Sequence, residues 1–560
     1  MGVSETFVWL AQQAPDIVHA LDFVDLSVMA WLLAPELSGH TLDGQWLRQA
    51  IGMPEVENVP GLPAAWALLV GDMEAMYRFY LTSAPQMVHQ GLTEVFIAQE
   101  MPIANILCVM SASGVPFDQE VLASWEQRCE SRLQDLAARV CEAAGRQVLI
   151  TSPQQISDLL FRELNLPKPD IPSATTRGGQ ISTNEEVLRA LVRHHPVVPL
   201  LLQHRKLSKL LSTYVSALKP TRGAGGAARC YTTWNQTQVV TGRLSSSSPN
   251  FQNLPRPDCI DPTEWGLDPS DEAATLAFAE LNIRNAFVPP DDRAVLVSAD
   301  YRQIEIRILA HAVGPGPLQA AFMSGVDVYV EMASRFLGVP VGRVTKEMRR
   351  RCKVCALAVL YGGGPRMLSS KLGMKESDAA AFRDKFFAAF PEVKQWIEVT
   401  YAACKRDLCV RTVTQRRRDL PDIVSLDHRD ADEARRRCVN TVIQGSAADL
   451  MKSAMVRAMR SIAAARWQGR SPPRLVVSVH DELLYYCDEV DVSQFVGVLM
   501  VAMQDRTILG APGLALAVPL EIAIKTGRAW GAMGSVALPG AAAGSAQIPV
   551  AVSPSVVALA

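Results

Sequence analysis

Apolar positions along this chain follow two periods. Over the first two hundred or so residues they recur at three- and four-residue spacing, the repeat of helices with one buried face. The run VLASWEQRCESRLQDLAARVCEAAG predicts a long amphipathic helix closed by Gly145, and Ser182–Glu185, STNE, reads as a capping box opening another. HRKLSKLLSTYVSALKP follows with Arg205, Lys206 and Lys209 along one side, at a spacing suited to successive phosphates. The pattern changes at Val295–His311, VLVSADYRQIEIRILAH. Val295 to Ala299 are strand-forming, and the run stops at Asp300, which leaves a carboxylate on a sheet rim. Beyond it, apolar Ile304, Ile306, Ile308 and Leu309 alternate with polar Gln303, Glu305 and Arg307, predicting a half-buried element that leads into a helix. Far downstream, RLVVSVHDELL (Arg474–Leu484) again runs an apolar strand into carboxylates, Asp481 and Glu482.

Two strand-end carboxylates from distant segments are the minimum for a two-metal site, in which paired divalent ions clamp the attacking and leaving oxygens of a phosphoryl transfer. Two unrelated turns would look the same, because Asp is common there. Three further patterns bear on the choice. In KEMRRRCKVCALAVLYGGGP, Arg349, Lys353, Leu357 and Tyr361 share one helix face, two cations for a triphosphate followed by an apolar and an aromatic group for a base. In TGRLSSSSPNFQN, Arg243, Asn250, Gln252 and Asn253 offer donors for sugar and minor-groove acceptors, which differ little between base pairs. Arg416, Arg417 and Arg418 cluster in a turn suited to phosphate, and Arg436, Asn440 and Gln444 form a polar stripe on an otherwise apolar helix.

Composition narrows the partners. A net charge of −2 excludes an overall basic protein, so any nucleic-acid surface must be a local patch. Eleven cysteines without framework spacing fit a reducing compartment, and Cys352 and Cys355 form a CxxC with no partner pair. MGVSET matches the bare myristoylation pattern without a basic patch to supply a second anchor, and no apolar run is expected to span a bilayer, so no membrane partner is expected. Residues 258–281 read as an acidic surface insertion, and the Ala, Gly, Pro and Ser-rich end (533–560) as a disordered tail.

From about residue 90 to 532 these motifs, in this order, resemble family A DNA polymerases, those of the DNA polymerase I type. The fingers pattern Arg-x-x-x-Lys-x-x-x-(Phe/Tyr)-x-x-x-Tyr-Gly is matched except that Leu357 stands for the aromatic, and Thr-x-x-Gly-Arg-Arg-Arg is matched with Gln415 for Gly. The Gln-Gly-Ser-Ala-Ala-Asp phrasing and the insertion look closer to the eukaryotic theta and nu branches. The resemblance implies an α+β right-hand polymerase fold, with an antiparallel palm sheet and helical fingers and thumb. It also implies a degenerate RNase H-like exonuclease remnant over 1–88, in which Asp72 keeps the last motif's carboxylate but Leu68 replaces its Tyr. Thumb is expected at 89–230 with a mobile tip at 168–180, palm at 231–345 and 426–532, and fingers at 346–425.

By the same resemblance the chain adds dNTPs to a primer 3′-hydroxyl, without proofreading, in repair or translesion synthesis. Asp300, Asp481 and Glu482 would be catalytic. Asp300, Asp481 and the Tyr301 carbonyl would hold two Mg2+ ions, for which Mn2+ could substitute. Gln303, Glu305, Arg349, Lys353, Leu357, Tyr361 and His480 would meet the nucleotide, with Glu305 under the sugar. Arg243, Asn250, Gln252, Asn253, Arg416, Arg417, Arg418, Arg436, Asn440 and Gln444 would meet primer–template DNA. A monomeric catalytic unit is expected, with a helicase or other repair factors as candidate partners, in the nucleus, with the mitochondrion or a bacterial or phage cytoplasm as alternatives. The competing readings are a single-subunit RNA polymerase and a non-catalytic DNA-binding scaffold.

Overall fold

The computed structural model describes residues 25–37, 49, 64–169, 181–215, 218, 221–222, 228–254 and 282–536. The expected insertion at 258–281, most of the 168–180 tip and nearly all of the tail lie outside them.

In the first ninety residues the described elements are helical: α1 (Leu26–Leu33) and α2 (Ala64–His89), which carries Leu68 and Asp72. Helix α3 (Thr93–Ser113) follows, with a π-turn at Phe96–Glu100. By length and composition alone, with a mean hydropathy of 1.5, it is long and apolar enough to cross a bilayer, where the sequence pattern predicts no run long and clean enough. It is instead a core helix, 61% of its most apolar stretch lying inside the protein. Helix α4 (Gln119–Ala144) starts where Asp118 Oδ1 accepts from the amides of Glu120 and Val121, and it ends at Gly145 in the left-handed conformation, as the pattern predicts.

The next helix (Glu185–Leu191) is capped differently from expectation. Asn184 caps it, accepting from the Val187 amide, while Ser182 only supports Asn184. Helix α5 (Val197–Leu210) corrects the idea of a free basic row. Arg205 turns inward to the Thr183 carbonyl and hydroxyl, and Lys206 lies 3.6 Å from Glu185, which leaves Lys209 exposed.

The centre of the molecule is a five-stranded antiparallel sheet. Strand β1 (Ala294–Tyr301) lies in its middle and leads into α6 (Ile304–Val313). Helices α7 (Val328–Leu337), α8 (Lys346–Leu360) and α9 (Pro391–Asp407) come next, then a small hairpin of β2 (Cys409–Arg411) and β3 (Arg417–Asp419). The 37-residue α10 (His428–Ala464) leads to β4 (Arg474–Val479), β5 (Glu482–Asp488), α11 (Val492–Gln504), β6 (Ile522–Ala529) and β7 (Ala532–Ser535). The sheet order is β4-β5-β1-β6-β7.

Every residue of β1 is buried except Asp300, so its apolar run is that of a strand covered on both faces. Helix α11 packs on the sheet and α10 packs on α11, with Tyr485 edge-on to Phe495 at 5.0 Å and the Tyr301 hydroxyl donating to the Met503 carbonyl. Residues 304–310 correct the expected half-buried element: they are helical and buried on all sides, Glu305 and Arg307 included. An aromatic chain ties the first half of the molecule to the sheet, running Trp234, Phe251, Phe287 and Trp530, with Phe117 against Phe287. Phe251 and Phe287 are fully buried, and truncating either to Ala removes about 3–5 kcal/mol.

Candidate active site

Strands β4 and β5 form a hairpin whose turn is His480–Asp481, with His480 in the left-handed region (φ +53°). The Tyr301 amide donates to the Asp481 carbonyl at 3.1 Å, so the ends of β1 and of the hairpin turn are fastened side by side. Asp300 and Asp481, 181 positions apart in sequence, thereby share one rim, both partly exposed. Gln303, also left-handed (φ +51°), forms the bend between β1 and α6 beside them.

Glu482 is corrected. It lies opposite Asp300 in the register, but its carboxylate is a buried anchor rather than a reactive group. One oxygen accepts from Ser298 Oγ at 2.6 Å and from Trp530 Nε1 at 3.0 Å, and the other lies 3.6 Å from Arg284, whose guanidinium sits over the Trp530 ring. These contacts occupy both oxygens with structural partners.

Asp300 and Asp481 supply hard oxygen donors, which suit Mg2+ rather than a softer metal. Among the described residues no group of three or more His, Cys, Asp or Glu side chains could hold a metal, so a metal on Asp300 and Asp481 would take its remaining ligands from backbone, water or substrate phosphate. The CxxC is buried in α8, and burial pushes the Cys352 and Cys355 thiols up to about 12.

Behind this rim is a cleft of about 220 Å3 whose lining includes Arg243, Asn250, Gln252, Lys452, His480 and Asp481. Three expected contact residues converge at one edge. Arg243 meets Glu305 at 2.5 Å, and the Tyr361 hydroxyl donates to the other Glu305 oxygen at 2.9 Å. Burial, with the Glu305 charge beside it, pushes the Tyr361 phenol up to about 12. Helix α8 is thus latched to α6, with Tyr361 just past its last turn. The glycines after Tyr361 permit this: Gly362 has φ +62°, and a Cβ there would stand 2.8 Å from the Arg436 Cα. Asn440 donates to Gln444 at 3.3 Å on the same α10 stripe, and Arg436 is exposed one turn earlier.

On α8 the four-residue stripe is real. Arg349, Leu357 and Tyr361 are partly exposed and Lys353 is exposed, while Cys352, Cys355, Ala356 and Val359 face the core. Arg349 and Lys353 both lie over the Tyr329 ring, at 5.5 and 6.0 Å.

Two DNA-contact expectations are corrected. Arg416 is not a surface phosphate ligand: it is 5% exposed and pairs with Asp449 of α10 and Glu100 of α3. Thr412 and Thr414 donate to the same Asp449, and Lys452 lies within 3.0 Å of Glu100. A guanidinium tolerates such burial only when carboxylates meet it. Its neighbours stay nearer the surface, Arg417 on Asp419 and Arg418 on the Thr441 hydroxyl. Gln252 is the second. Its amide nitrogen donates to the Leu244 and Ser478 carbonyls, and its oxygen accepts from Ser246, so it braces the cleft wall. Asn250 caps the turn at Phe251–Asn253, and Asn250 and Asn253 are both exposed.

Sequence reasoning missed Glu100, Asp449 and Lys452. Lone charges inside apolar helical runs were the available signal, since such groups are buried only with partners.

An antiparallel sheet with two rim carboxylates, faced by a helix bearing Arg, Lys and Tyr, is the layout of a right-hand nucleic-acid polymerase. The profile of DNA polymerase family A matches residues 119–532, and the chain belongs to that family. It is similar to the DNA polymerase I of Chloroflexus aurantiacus, at 34% identity over 481 residues covering 85% of this chain and 48% of the relative. With the DNA polymerase I of Geobacillus stearothermophilus it shares 34% over 518 residues, 90% of this chain and 55% of that one. The chain therefore spans about half the length of these curated relatives. Among solved structures it resembles the POL domain of Pol1 from M. smegmatis, in complex with DNA primer-template and dNTP. That likeness has a TM-score of 0.77 and 28% identity over 90% of this chain and 82% of that one.

Proposed function

We propose that this chain is a template-directed DNA polymerase that adds dNTPs to a primer 3′-hydroxyl. One observation carries the reading: the strand ends that bear Asp300 and Asp481 are fastened side by side, and Asp481 lines one cleft with Arg243, which is latched through Glu305 to Tyr361. Asp300 and Asp481, with the Tyr301 carbonyl, would hold magnesium, which when bound lowers the pKa of the attacking hydroxyl and stabilises the leaving pyrophosphate. Arg349, Lys353 and His480 bind the triphosphate. Tyr361 and Gln444 border the position of the nascent pair, and Arg243, Asn440 and Arg436 meet the DNA. Glu305, held from two sides, crowds the 2′ position of the sugar.

Primer extension with Mg2+, using dNTPs and then rNTPs, tests this. Extension with dNTPs alone is expected, and Glu305→Ala should admit rNTPs. Equal use of both by the unaltered chain would favour an RNA polymerase, and binding without extension a scaffold. Synthesis without proofreading rests on Leu68 in place of Tyr, and Mg2+-dependent removal of a mismatched 3′ nucleotide that is lost in Asp72→Ala would overturn it. A repair or translesion role rests on Leu357, where a fingers aromatic would stack.

A further inference from the structure

The polymerase reading gives Arg349 a task, meeting a triphosphate, that a long side chain on an exposed helix face performs poorly unless something fixes it. Lysine and arginine side chains explore many rotamers in water, and that freedom is lost on binding. What fixes Arg349 lies on the neighbouring helix. Asp327 caps α7, its Oδ1 accepting from the Tyr329 and Val330 amides at 3.1 Å, so its rotamer is set by the helix start. The same carboxylate takes Arg349 edge-on, Nε to Oδ1 at 3.0 Å and Nη2 to Oδ2 at 2.8 Å. Beneath the pair is Tyr329, 4% exposed, its ring 5.5 Å from the guanidinium carbon and 6.0 Å from the Lys353 ammonium.

We infer that Asp327 is a positioning residue for nucleotide binding, holding Arg349 by one edge over Tyr329 so that the opposite edge meets the triphosphate already oriented. The fork engages Nε and Nη2, which leaves both N–H groups of Nη1 for phosphate oxygens. An ordinary ion pair with each side chain more than a third exposed adds little stability, so stability is not where this contact shows its effect. The arrangement also involves a trade. A carboxylate beside Arg349 weakens its attraction for an anion, whereas pinning the fork lowers the cost of ordering it. Positioning requires the second effect to win, and the two have opposite signs in a binding constant.

The inference rests on the proposed polymerase function, and the experiment separates their failures. Single-nucleotide incorporation on a primer–template with Mg2+ is measured for the unaltered chain, Asp327→Asn, Arg349→Ala and the double variant. Asparagine caps a helix as well as aspartate, so Asp327→Asn keeps α7 and removes only the charged fork. The expected result is a KM for dNTP raised about tenfold with kcat changed less than about threefold. Inorganic tripolyphosphate, used as a competitive inhibitor, should weaken by a similar factor. In the Arg349→Ala background the Asp327→Asn change should add nothing. A lowered or unchanged KM in Asp327→Asn, or the same increase without Arg349, overturns the positioning role. If Arg349→Ala itself leaves KM unchanged, the phosphate-binding reading of the α8 stripe falls, and this inference with it.

Discussion

Two groups of charges, each reaching the cleft through one member, are built in opposite ways. On its inner side Lys452 of α10 belongs to a closed set of two anions and two cations, with Glu100 of α3, Arg416 of the β2–β3 hairpin and Asp449 of α10. None is more than 5% exposed, and the Trp31 ring lies 5.1 Å from both cations. At its mouth Asp481, with Asp300 beside it on the same sheet rim, sits at a strand end with solvent access. Removing an ion from water costs several kcal/mol, so the inner charges persist only by neutralising one another. The outer carboxylates avoid that cost by staying wet, which keeps them reachable by an arriving cation. Residue type does not separate the two groups, but burial does.

The comparison breaks most visibly at the mouth. Asp300→Ala or Asp481→Ala should lower nucleotide incorporation about a thousandfold or more while primer–template affinity stays near that of the parent. If either variant extends primers near the parental rate in a gel assay, the rim is not the reaction centre.

The inner set should answer in stability instead. Arg416→Ala leaves Glu100 and Asp449 buried without their main partner and should cost about 3–5 kcal/mol in denaturant unfolding, against about 0.5 or less for Arg417→Ala. Loss of DNA affinity without loss of stability would restore Arg416 to the DNA surface. The same set predicts an acid limb. Burial alone would raise the Glu100 pKa, but Arg416 and Lys452 hold it at about 2, below the usual 4.5. A depressed carboxylate contributes stability above its unfolded pKa and loses it as pH falls through the folded one. The melting temperature should therefore drop between about pH 4.5 and 2 in the parent, and less steeply in Glu100→Gln measured against its own plateau.

Leu357→Phe sharpens the picture at the nucleotide. Leu357 is only partly buried, so a ring has room to stack, and base–aromatic stacking is worth roughly 1–3 kcal/mol. A several-fold lower KM for correct dNTPs is expected in steady-state incorporation, and an unchanged or higher one would leave Leu357 as packing and remove support for a translesion role. The smallest effect is Gln415→Gly. Gln415 occupies the left-handed region (φ +67°) where the family pattern has glycine, and relieving it should stabilise the chain by about 1 kcal/mol in the same unfolding assay.

Patterns that depend on near neighbours were legible without coordinates. Strand β1 ending at Asp300, α4 stopping at Gly145, and the Arg349–Tyr361 stripe follow from period, glycine chirality and helical geometry, each set within a few residues. Motif order identified the family, because four separate motifs seldom agree by chance.

Tertiary structure alone decided where charges go. Arg416 and Arg417 are adjacent and chemically identical, yet one is buried on Asp449 and the other stays near the surface, because only packing brings Glu100 from 316 positions away. Alternation in IEIRI reads as a half-exposed element, but neighbours on every side bury it, with Arg243 and Tyr361 satisfying Glu305 and Glu521 satisfying Arg307. Glu482 changed from reactive group to anchor for the same reason, since Trp530 and Arg284 reach it from distant segments. A sequence fixes which groups can carry charge, but the dielectric and the partners that determine what the charge does belong to the folded chain.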